Sequence, residues 1–185
     1  APALPATTLA IYCYSYMFFG CTSLTTAPVL PATTLVSNCY QSMFYGCTGL
    51  TTAPTLPATT LANYCYNSMF FRCTSLTTAP ALPATTLTPY CYDSMFLGCK
   101  GLTTAPALPA TTLAINCYVN MLNGCTSLKL STTLTGIYDT AYRIPTTGTG
   151  ITATDALTDM FLGTGGTFKG TPTINTTYYT ENTLV

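Results

Sequence analysis

One unit of 26 residues recurs through the first two thirds of the chain and constrains its fold more than any other feature. The unit has the pattern APALPATTLxxxCYxSMFxGCTSLTT, and its copies follow one another without a gap. A fixed period of this length is typical of solenoids, in which every turn buries its apolar side against its neighbours. We therefore predict five repeats in residues 1–130, followed by a divergent sixth repeat and a capping segment in residues 131–185.

The composition excludes several classes of partner. Only 5% of the residues are charged, the formal net charge is zero, and 48% of the residues are hydrophobic. A chain without a basic patch is not expected to bind nucleic acid, and it has no apolar run of about 18 residues that would insert into a membrane. The first residues, Ala1 and Pro2, have the phase of every later repeat. We therefore expect a cut at a repeat boundary and an uncapped N-terminal end that contacts a second copy or another surface protein.

The cysteines mark the repeat most clearly. The chain has ten of them, in five pairs with the spacing C-x7-C. The pairs are Cys13 and Cys21, Cys39 and Cys47, Cys65 and Cys73, Cys91 and Cys99, and Cys117 and Cys125. Paired cysteines indicate disulfides and an oxidising compartment. Buried free thiols and bonds between neighbouring repeats are the alternatives. Zinc is disfavoured because there is no C-x2-C knuckle and no histidine, and we expect no metal or cofactor.

Two observations favour a disulfide within each repeat. Alignment of Met160 and Phe161 with the Met-Phe pair of the fourth repeat puts Ala156 and Thr164 at the two cysteine positions, so both cysteines are lost together. Each column of equivalent cysteines has five members. Disulfides along a column would therefore leave a cysteine unpaired, whereas disulfides within each repeat leave none.

The segment CYxSMFxG has helical character. Tyr14, Met17 and Phe18 have the i, i+3, i+4 spacing of one face of a helical turn. Gly20 and its equivalents follow, where a left-handed residue reverses the chain, and Arg72 replaces that glycine in the third repeat. The segments LTT and ATTL favour short parallel strands, which prolines keep short. The prediction is thus a β-rich coil with short helical turns.

The motif Met17-Phe18-x-Gly20-Cys21-Thr22-Ser23-Leu24 and its four further copies resemble the unit of BspA-like leucine-rich repeats, known from bacterial surface proteins of Treponema and Bacteroidetes type. The array of Cys-containing, Thr-rich repeats also resembles arrays in proteins of gut Bacteroidetes and of their bacteriophages. This chain departs from that family in its longer period, its first cysteine and its second proline. The resemblance implies a right-handed solenoid used for adhesion or protein binding at a cell or virion surface, and it implies no single ligand.

The sequence offers little chemistry for catalysis. Without histidine, a Ser-His-Asp or Cys-His nucleophile is impossible. Asp155 and Asp159 would share one face of a helix, as a pair of glycosidase carboxylates would, but a solvated helix start explains them better. We therefore expect no enzymatic activity. Asn175 begins an Asn-Thr-Thr sequence that fits the N-glycosylation pattern.

Comparison of the repeats with one another identifies positions where change is tolerated. These positions flank the CYxSMFxG segment and carry several aromatic residues, which a contact surface favours. The candidate binding strip is Tyr12, Phe19, Tyr45, Tyr64, Phe71 and Tyr90. Partial burial under neighbouring repeats is the alternative interpretation.

Three functions follow as hypotheses. The first is a structural or adhesive protein outside the cell, a subunit of a surface fibre or filament. The second is a recognition module, such as a phage receptor-binding segment or a bacterial adhesin, that binds protein or glycan through the strip. The third is ice binding by threonine rows, which is disfavoured because adjacent threonines on a strand point to opposite faces.

Overall fold

A computed structural model describes residues 1–144 and 153–181 of the chain. The regular elements lie in its C-terminal third. They are strand β1 (Lys129–Ser131), strand β2 (Tyr138–Arg143), helix α1 (Ala153–Leu157), strand β3 (Gly165–Gly166) and strand β4 (Thr177–Glu181). They form one four-stranded sheet in the order β2-β4-β1-β3, in which β1 is parallel to β3 and β4 is antiparallel to both β1 and β2.

The CYxSMFxG segments are runs of tight turns, and the prediction of helical turns there is wrong. We call these runs the turn segments. They cover residues 11–20, 37–46, 63–72, 89–98 and 115–124. Every fourth residue has a left-handed backbone, as at Asn38 (φ 60°), Ser42 (φ 52°) and Gly46 (φ 71°). An α-helix cannot contain such residues because each one reverses the sense of the backbone coil.

Backbone hydrogen bonds in the turn segments alternate between two directions. One residue donates to a carbonyl three positions earlier, as Met43 does to Tyr40 at 3.2 Å. The next residue donates to the following repeat, as Phe44 does to Met69 at 2.9 Å. The second and third repeats are joined by five such bonds, and all five run from the N–H groups of the second to the carbonyls of the third. Neighbouring turn segments are therefore stacked in register with a common polarity.

Equivalent side chains of neighbouring turn segments stack on one another and form rows that run from repeat to repeat. The tyrosine rings of Tyr40 and Tyr66 are 5.9 Å apart and within 9° of parallel, and the rings of Phe44 and Phe70 are 5.6 Å apart and within 6°. The methionines between them, Met43 and its three successors, are fully buried. The leucine that follows the second cysteine is also buried in the second to fifth repeats, at Leu50, Leu76, Leu102 and Leu128. These rows are the core that the repeat pattern predicts.

Threonine pairs hold the repeats together on the outer side. Single parallel bridges join Thr26 to Thr52, Thr34 to Thr60 and Thr78 to Thr104. The bridges fall in the LTT and ATTL segments predicted as strands, but none of them grows beyond one residue pair in residues 1–128. The prolines explain this limit, because each one removes a donor from the ladder.

The C-terminal part continues the stack and then ends it. In residues 153–163 the carbonyls of Ala156 and Met160 accept hydrogen bonds from Tyr118 and Leu122 at 2.9 and 3.0 Å, as the equivalent carbonyls do between earlier repeats. Beyond this sixth turn, the N–H of Phe161 donates to Gly170 at 2.9 Å and that of Asp159 to the hydroxyl of Thr171 at 2.8 Å. The segment after the sixth turn therefore covers donors that would otherwise face solvent.

Candidate functional site

The ten cysteines are free thiols in the structure, which corrects the disulfides expected within each repeat. They form two rows, made of the cysteines that precede the Tyr and Met-Phe residues of each repeat and of those that follow them. The thiols that influence one another electrostatically belong to the same row, such as Cys13 and Cys39, or Cys21 and Cys47. The physical reason is the turn segment itself, because a run of stacked turns does not fold its first cysteine back onto its second.

From Cys47 onward, each thiol of the second row donates to a backbone carbonyl of the preceding repeat. The Sγ atom of Cys47 lies 3.0 Å from the carbonyl oxygen of Phe18, and Cys73 repeats this contact with Phe44 at 3.1 Å. Burial raises the pKa of Cys47 to about 11 and that of Cys125 to about 12. These thiols therefore stay protonated at neutral pH and are poor nucleophiles and poor metal ligands.

The candidate binding strip divides into separate ring stacks. Phe19, Tyr45 and Phe71 form one column, with ring centroids 4.7 and 4.3 Å apart. The guanidinium of Arg72 lies 5.3 Å from the centre of the Phe71 ring, at one end of that column. Phe19 is 52% exposed, whereas Tyr45 and Phe71 are half-buried. Phe19 therefore fits a contact surface, whereas Tyr45 and Phe71 fit partial burial under neighbouring repeats.

The other strip residues lie at the beginning of the turn segments. Tyr64 and Tyr90 stack with ring centroids 4.4 Å apart, and both are half-buried. Desolvation and the neighbouring Tyr90 raise the pKa of Tyr64. Tyr12 is 63% exposed. Tyr16, which was not predicted as part of the strip, has its ring tilted against Phe19 at 5.8 Å. Its signal was an aromatic residue at a position that is Ser or Asn in the other four repeats.

Stacking decides what the strip can offer to a ligand. Rings that lie 4.3 to 4.7 Å apart cover one another's faces, so their edges point outward. Sugar recognition by aromatic residues uses ring faces, while ring edges carry partial positive charge and suit apolar or aromatic protein side chains. The strip therefore fits a protein ligand better than a glycan.

A row of polar side chains runs beside the strip. The amide of Gln41 donates to the Oδ1 atom of Asn67 at 3.4 Å, and Asn67 donates to the Oδ2 atom of Asp93 at 3.1 Å. The hydroxyl of Ser94 donates to the other carboxylate oxygen at 2.7 Å. Desolvation raises the pKa of Asp93 in spite of these bonds. Asp93 is therefore an acceptor at the end of a ladder of amide groups.

The remaining candidates from the sequence are not assembled into a catalytic or metal site. Helix α1 ends at Leu157, so Asp155 and Asp159 do not share a helix face, and Asp159 has a left-handed backbone (φ 55°). Among the described residues, no group of three or more Cys, Asp and Glu side chains could hold a metal ion. Asn175, the candidate glycosylation site, is exposed, and its Oδ1 atom accepts a hydrogen bond from Arg143.

Shallow grooves lie along the APxLP segments. One groove of about 300 Å³ lies between the third and fourth repeats and is lined by Leu56, Pro57, Pro80 and Pro83. Another, of about 520 Å³, lies beside the C-terminal sheet and includes Tyr142 and Arg143. Both are wide open to solvent. No helix in the described part of the chain is long and apolar enough to cross a membrane.

No family model matches the chain, and neither curated proteins nor solved structures gave a match.

Proposed function

We propose that this protein is a leucine-rich-repeat-like, right-handed solenoid with a structural or adhesive role outside the cell, as a non-enzymatic subunit of a surface fibre or filament. One observation carries the proposal. Buried rows of Tyr, Met, Phe and Leu run from repeat to repeat, with Leu122 in place of the phenylalanine in the fifth, while the residues that flank them change. A core that repeats along one axis makes a stiff rod whose length is set by the number of repeats.

The placement outside the cell rests on the resemblance to BspA-like repeats. Free thiols persist in either a reducing or an oxidising compartment when burial keeps them protonated and out of contact with oxidants. The cysteine pairs therefore no longer argue for an oxidising compartment.

Small-angle X-ray scattering tests the rod. Insertion of a further copy of residues 53–78 after Thr78 should lengthen the particle by about 5 Å, the spacing of stacked strands, without widening it. A particle whose length does not respond to the insertion would contradict the proposal. Adhesion is read out separately, by retention of protein-coated beads on mucin and on matrix proteins, with albumin-coated beads as the control.

The second candidate is a recognition module that binds protein through the strip. The observation in its favour is the exposed edge of the Phe19 column, which ends beside the cation of Arg72. On a panel of immobilised matrix proteins and glycans, the Tyr64→Ser/Tyr90→Ser and Phe19→Ser variants should lose binding by tenfold or more. The matched control is Val29→Ser, because Val29 is 72% exposed but lies on an APxLP segment. Equal binding by all these variants would remove the strip as the site.

A further inference from the structure

The turn segments of the third and fourth repeats turn their residues outward in pairs. In the fourth repeat, residues 91–92 and 95–96 are buried, whereas residues 93–94 and 97–98 are half-buried, and the third repeat follows the same order. This period of four matches the left-handed residue at every fourth position. We call the surface formed by the outward pairs of these two repeats the outer face. It consists of residues 63–64, 67–68, 71–72, 89–90, 93–94 and 97–98.

The outer face carries two opposite charges, and charges are rare in the repeats. Residues 1–128 contain three charged side chains, Arg72, Asp93 and Lys100. The first two lie on the outer face in neighbouring repeats, whereas Lys100 is exposed beyond the end of the turn segment. A face with one cation and one anion is complementary to a partner that presents the same two charges in the reverse arrangement.

Neither charge is neutralised within the described part of the chain. The guanidinium of Arg72 lies 5.3 Å from the centre of the Phe71 ring and forms no ion pair with the described residues. The carboxylate of Asp93 accepts hydrogen bonds from two neutral groups, the amide of Asn67 at 3.1 Å and the hydroxyl of Ser94 at 2.7 Å. A carboxylate has about four acceptor sites, so further sites remain for an arginine. Both charges are therefore available to a second molecule.

Aromatic rings accompany the charges on the outer face. Tyr64 and Tyr90 stack with ring centroids 4.4 Å apart, and Phe71 stacks on Tyr45 of the second repeat at 4.3 Å. These rings are half-buried, so part of each remains accessible. Aromatic residues and arginine are the residue types enriched at protein interfaces. The outer face thus combines an apolar contact area with a pair of opposite charges.

We propose that the outer face binds the outer face of a second copy of this chain, with Arg72 of each copy against Asp93 of the other. A twofold axis midway between the two charges pairs both of them at once, because in an isologous interface each residue and its contact exchange roles. The chain has zero net charge, so no net repulsion keeps two copies apart. This inference rests on the strip being a contact surface, as in the second candidate function, and names its partner.

Charge reversal provides the test. Sedimentation equilibrium over about a hundredfold range of concentration measures self-association. Arg72→Asp and Asp93→Arg should each weaken the dimer by about tenfold or more, because each sets like charges against one another. The double variant Arg72→Asp/Asp93→Arg restores opposite charges and should return to within about threefold of the original chain. The matched control is Lys100→Asp, which changes the net charge as Arg72→Asp does but lies outside the outer face, and it should leave the dimer unchanged.

Three results would overturn the proposal. The first is a chain that stays monomeric over the whole range of concentration. The second is a dimer that neither single reversal weakens, since another surface would then hold it together. The third is a double variant that is folded by circular dichroism and yet associates as weakly as the single variants.

A cross-link keeps the test decisive if Asp93→Arg fails to fold after losing the acceptor for Asn67 and Ser94. Arg72→Lys supplies an amine and leaves Asp93 in place. A carbodiimide joins this amine to the carboxylate as an amide and takes up the water that is lost. Mass spectrometry of the covalent dimer should show the link between positions 72 and 93, and Arg72→Gln should give no link there. No covalent dimer, or one linked only elsewhere, would overturn the proposal.

Binding to the panel of matrix proteins and glycans is measured separately. A monomeric chain that still binds the panel through the strip would overturn this inference and leave the recognition function standing. A dimeric chain that binds nothing on the panel would do the reverse. The insertion test of the rod reads the length of the particle and depends on neither result, so the failures are distinguishable.

Discussion

A buried tyrosine hydroxyl stabilises the fold when it has a hydrogen-bond partner and destabilises it when it has none. The hydroxyl of Tyr92 is buried and has no hydrogen-bond partner, whereas that of Tyr142 donates to the carbonyl of Pro106 at 3.0 Å. A buried hydroxyl without a partner costs about 1–3 kcal/mol. We expect Tyr92→Phe to raise the free energy of unfolding by about 1 kcal/mol and Tyr142→Phe to lower it by a similar amount. Urea denaturation measures both, and equal effects of the same sign would contradict this assignment.

The carboxyl group of Asp93 should make stability depend on pH. Desolvation raises its pKa in the folded chain above the ordinary value of 3.8, so the folded state binds the proton more tightly than the unfolded state. The resulting stability is fully present below pH 3.8 and is lost as the pH rises through the folded pKa. Asp93→Asn keeps the acceptor for Asn67 and removes this loss. Urea midpoints between pH 3 and 7 should fall with pH in the original chain and fall less in the variant; parallel curves would exclude Asp93 as the cause.

The thiols provide a direct count. In denaturing urea without a reductant, Ellman's reagent should detect all ten cysteines. In the native chain at pH 8, only the exposed Cys21 and the half-buried Cys13 should react quickly, because burial raises the pKa of thiols such as Cys47 to about 11. Dithiothreitol should leave the melting temperature unchanged. If no thiols were detected before dithiothreitol is added, and the reductant lowered the melting temperature, the hypothesis of intra-repeat disulfides would be correct after all.

At the scale of elements, the side-chain rows could be predicted from the sequence but the backbone that carries them could not. The spacing of Tyr14, Met17 and Phe18 fits a helix, and it fits equally well a run of turns that reverses every fourth residue. The signal that separates the two is the residue type at the reversing positions. Asn38, Ser42 and Gly46 are small or polar residues of the kind that tolerate a left-handed backbone. The aromatic residues Tyr12, Tyr16, Tyr64 and Tyr90 adopt it too, and they obscure the pattern in the first, third and fourth repeats.

A glycine accompanies each threonine bridge between LTT segments. Gly49 and Gly101 lie so close to the preceding repeat that an added Cβ would be 2.4 and 2.7 Å from a backbone oxygen. Both precede a bridge, Thr26 to Thr52 and Thr78 to Thr104. The third repeat has Ser75 at the same position, and no bridge joins Thr52 to Thr78. The residue at this position therefore sets how closely the LTT segment approaches its neighbour.

Hydrogen exchange of single amides tests this rule. The N–H of Thr103 donates to Thr77 at 3.1 Å, so it should be protected in the original chain. Gly101→Ser should push the segment outward and lower that protection by about tenfold, the equivalent of about 1.4 kcal/mol. Ser75→Gly should do the reverse and protect the N–H of Thr77. Unchanged exchange at Thr103 in Gly101→Ser would show that the glycine is not what permits the bridge.

At the scale of the whole molecule, the period predicts which residues stack, because equivalent rings and turn segments of adjacent repeats contact one another. The sequence identifies the rows of the core and the alignment of the sixth turn, since Met160 accepts from Leu122 as the equivalent methionines do. It predicts a capping segment within residues 131–185, but not which residues that cap brings together. The contacts of the cap join residues far apart in the chain, such as Lys129 and Glu181, whose side chains form an ion pair at 2.8 Å. No short sequence pattern predicts pairs of residues that are so far apart in the chain.

Removal of one repeat tests the stack as a whole. Deletion of residues 53–78 brings Gly46 next to Gly98 and leaves every row in register, so the shortened chain should fold cooperatively. It loses one repeat and one junction, and its urea m-value should fall by about a sixth, because the m-value follows the surface exposed on unfolding. Deletion of residues 53–65 removes half a period and sets the Tyr and Met-Phe rows against APxLP segments, so this chain should not fold. Circular dichroism and urea denaturation compare the two. Equal stability of both deletions would mean that the phase of the repeat does not hold the molecule together.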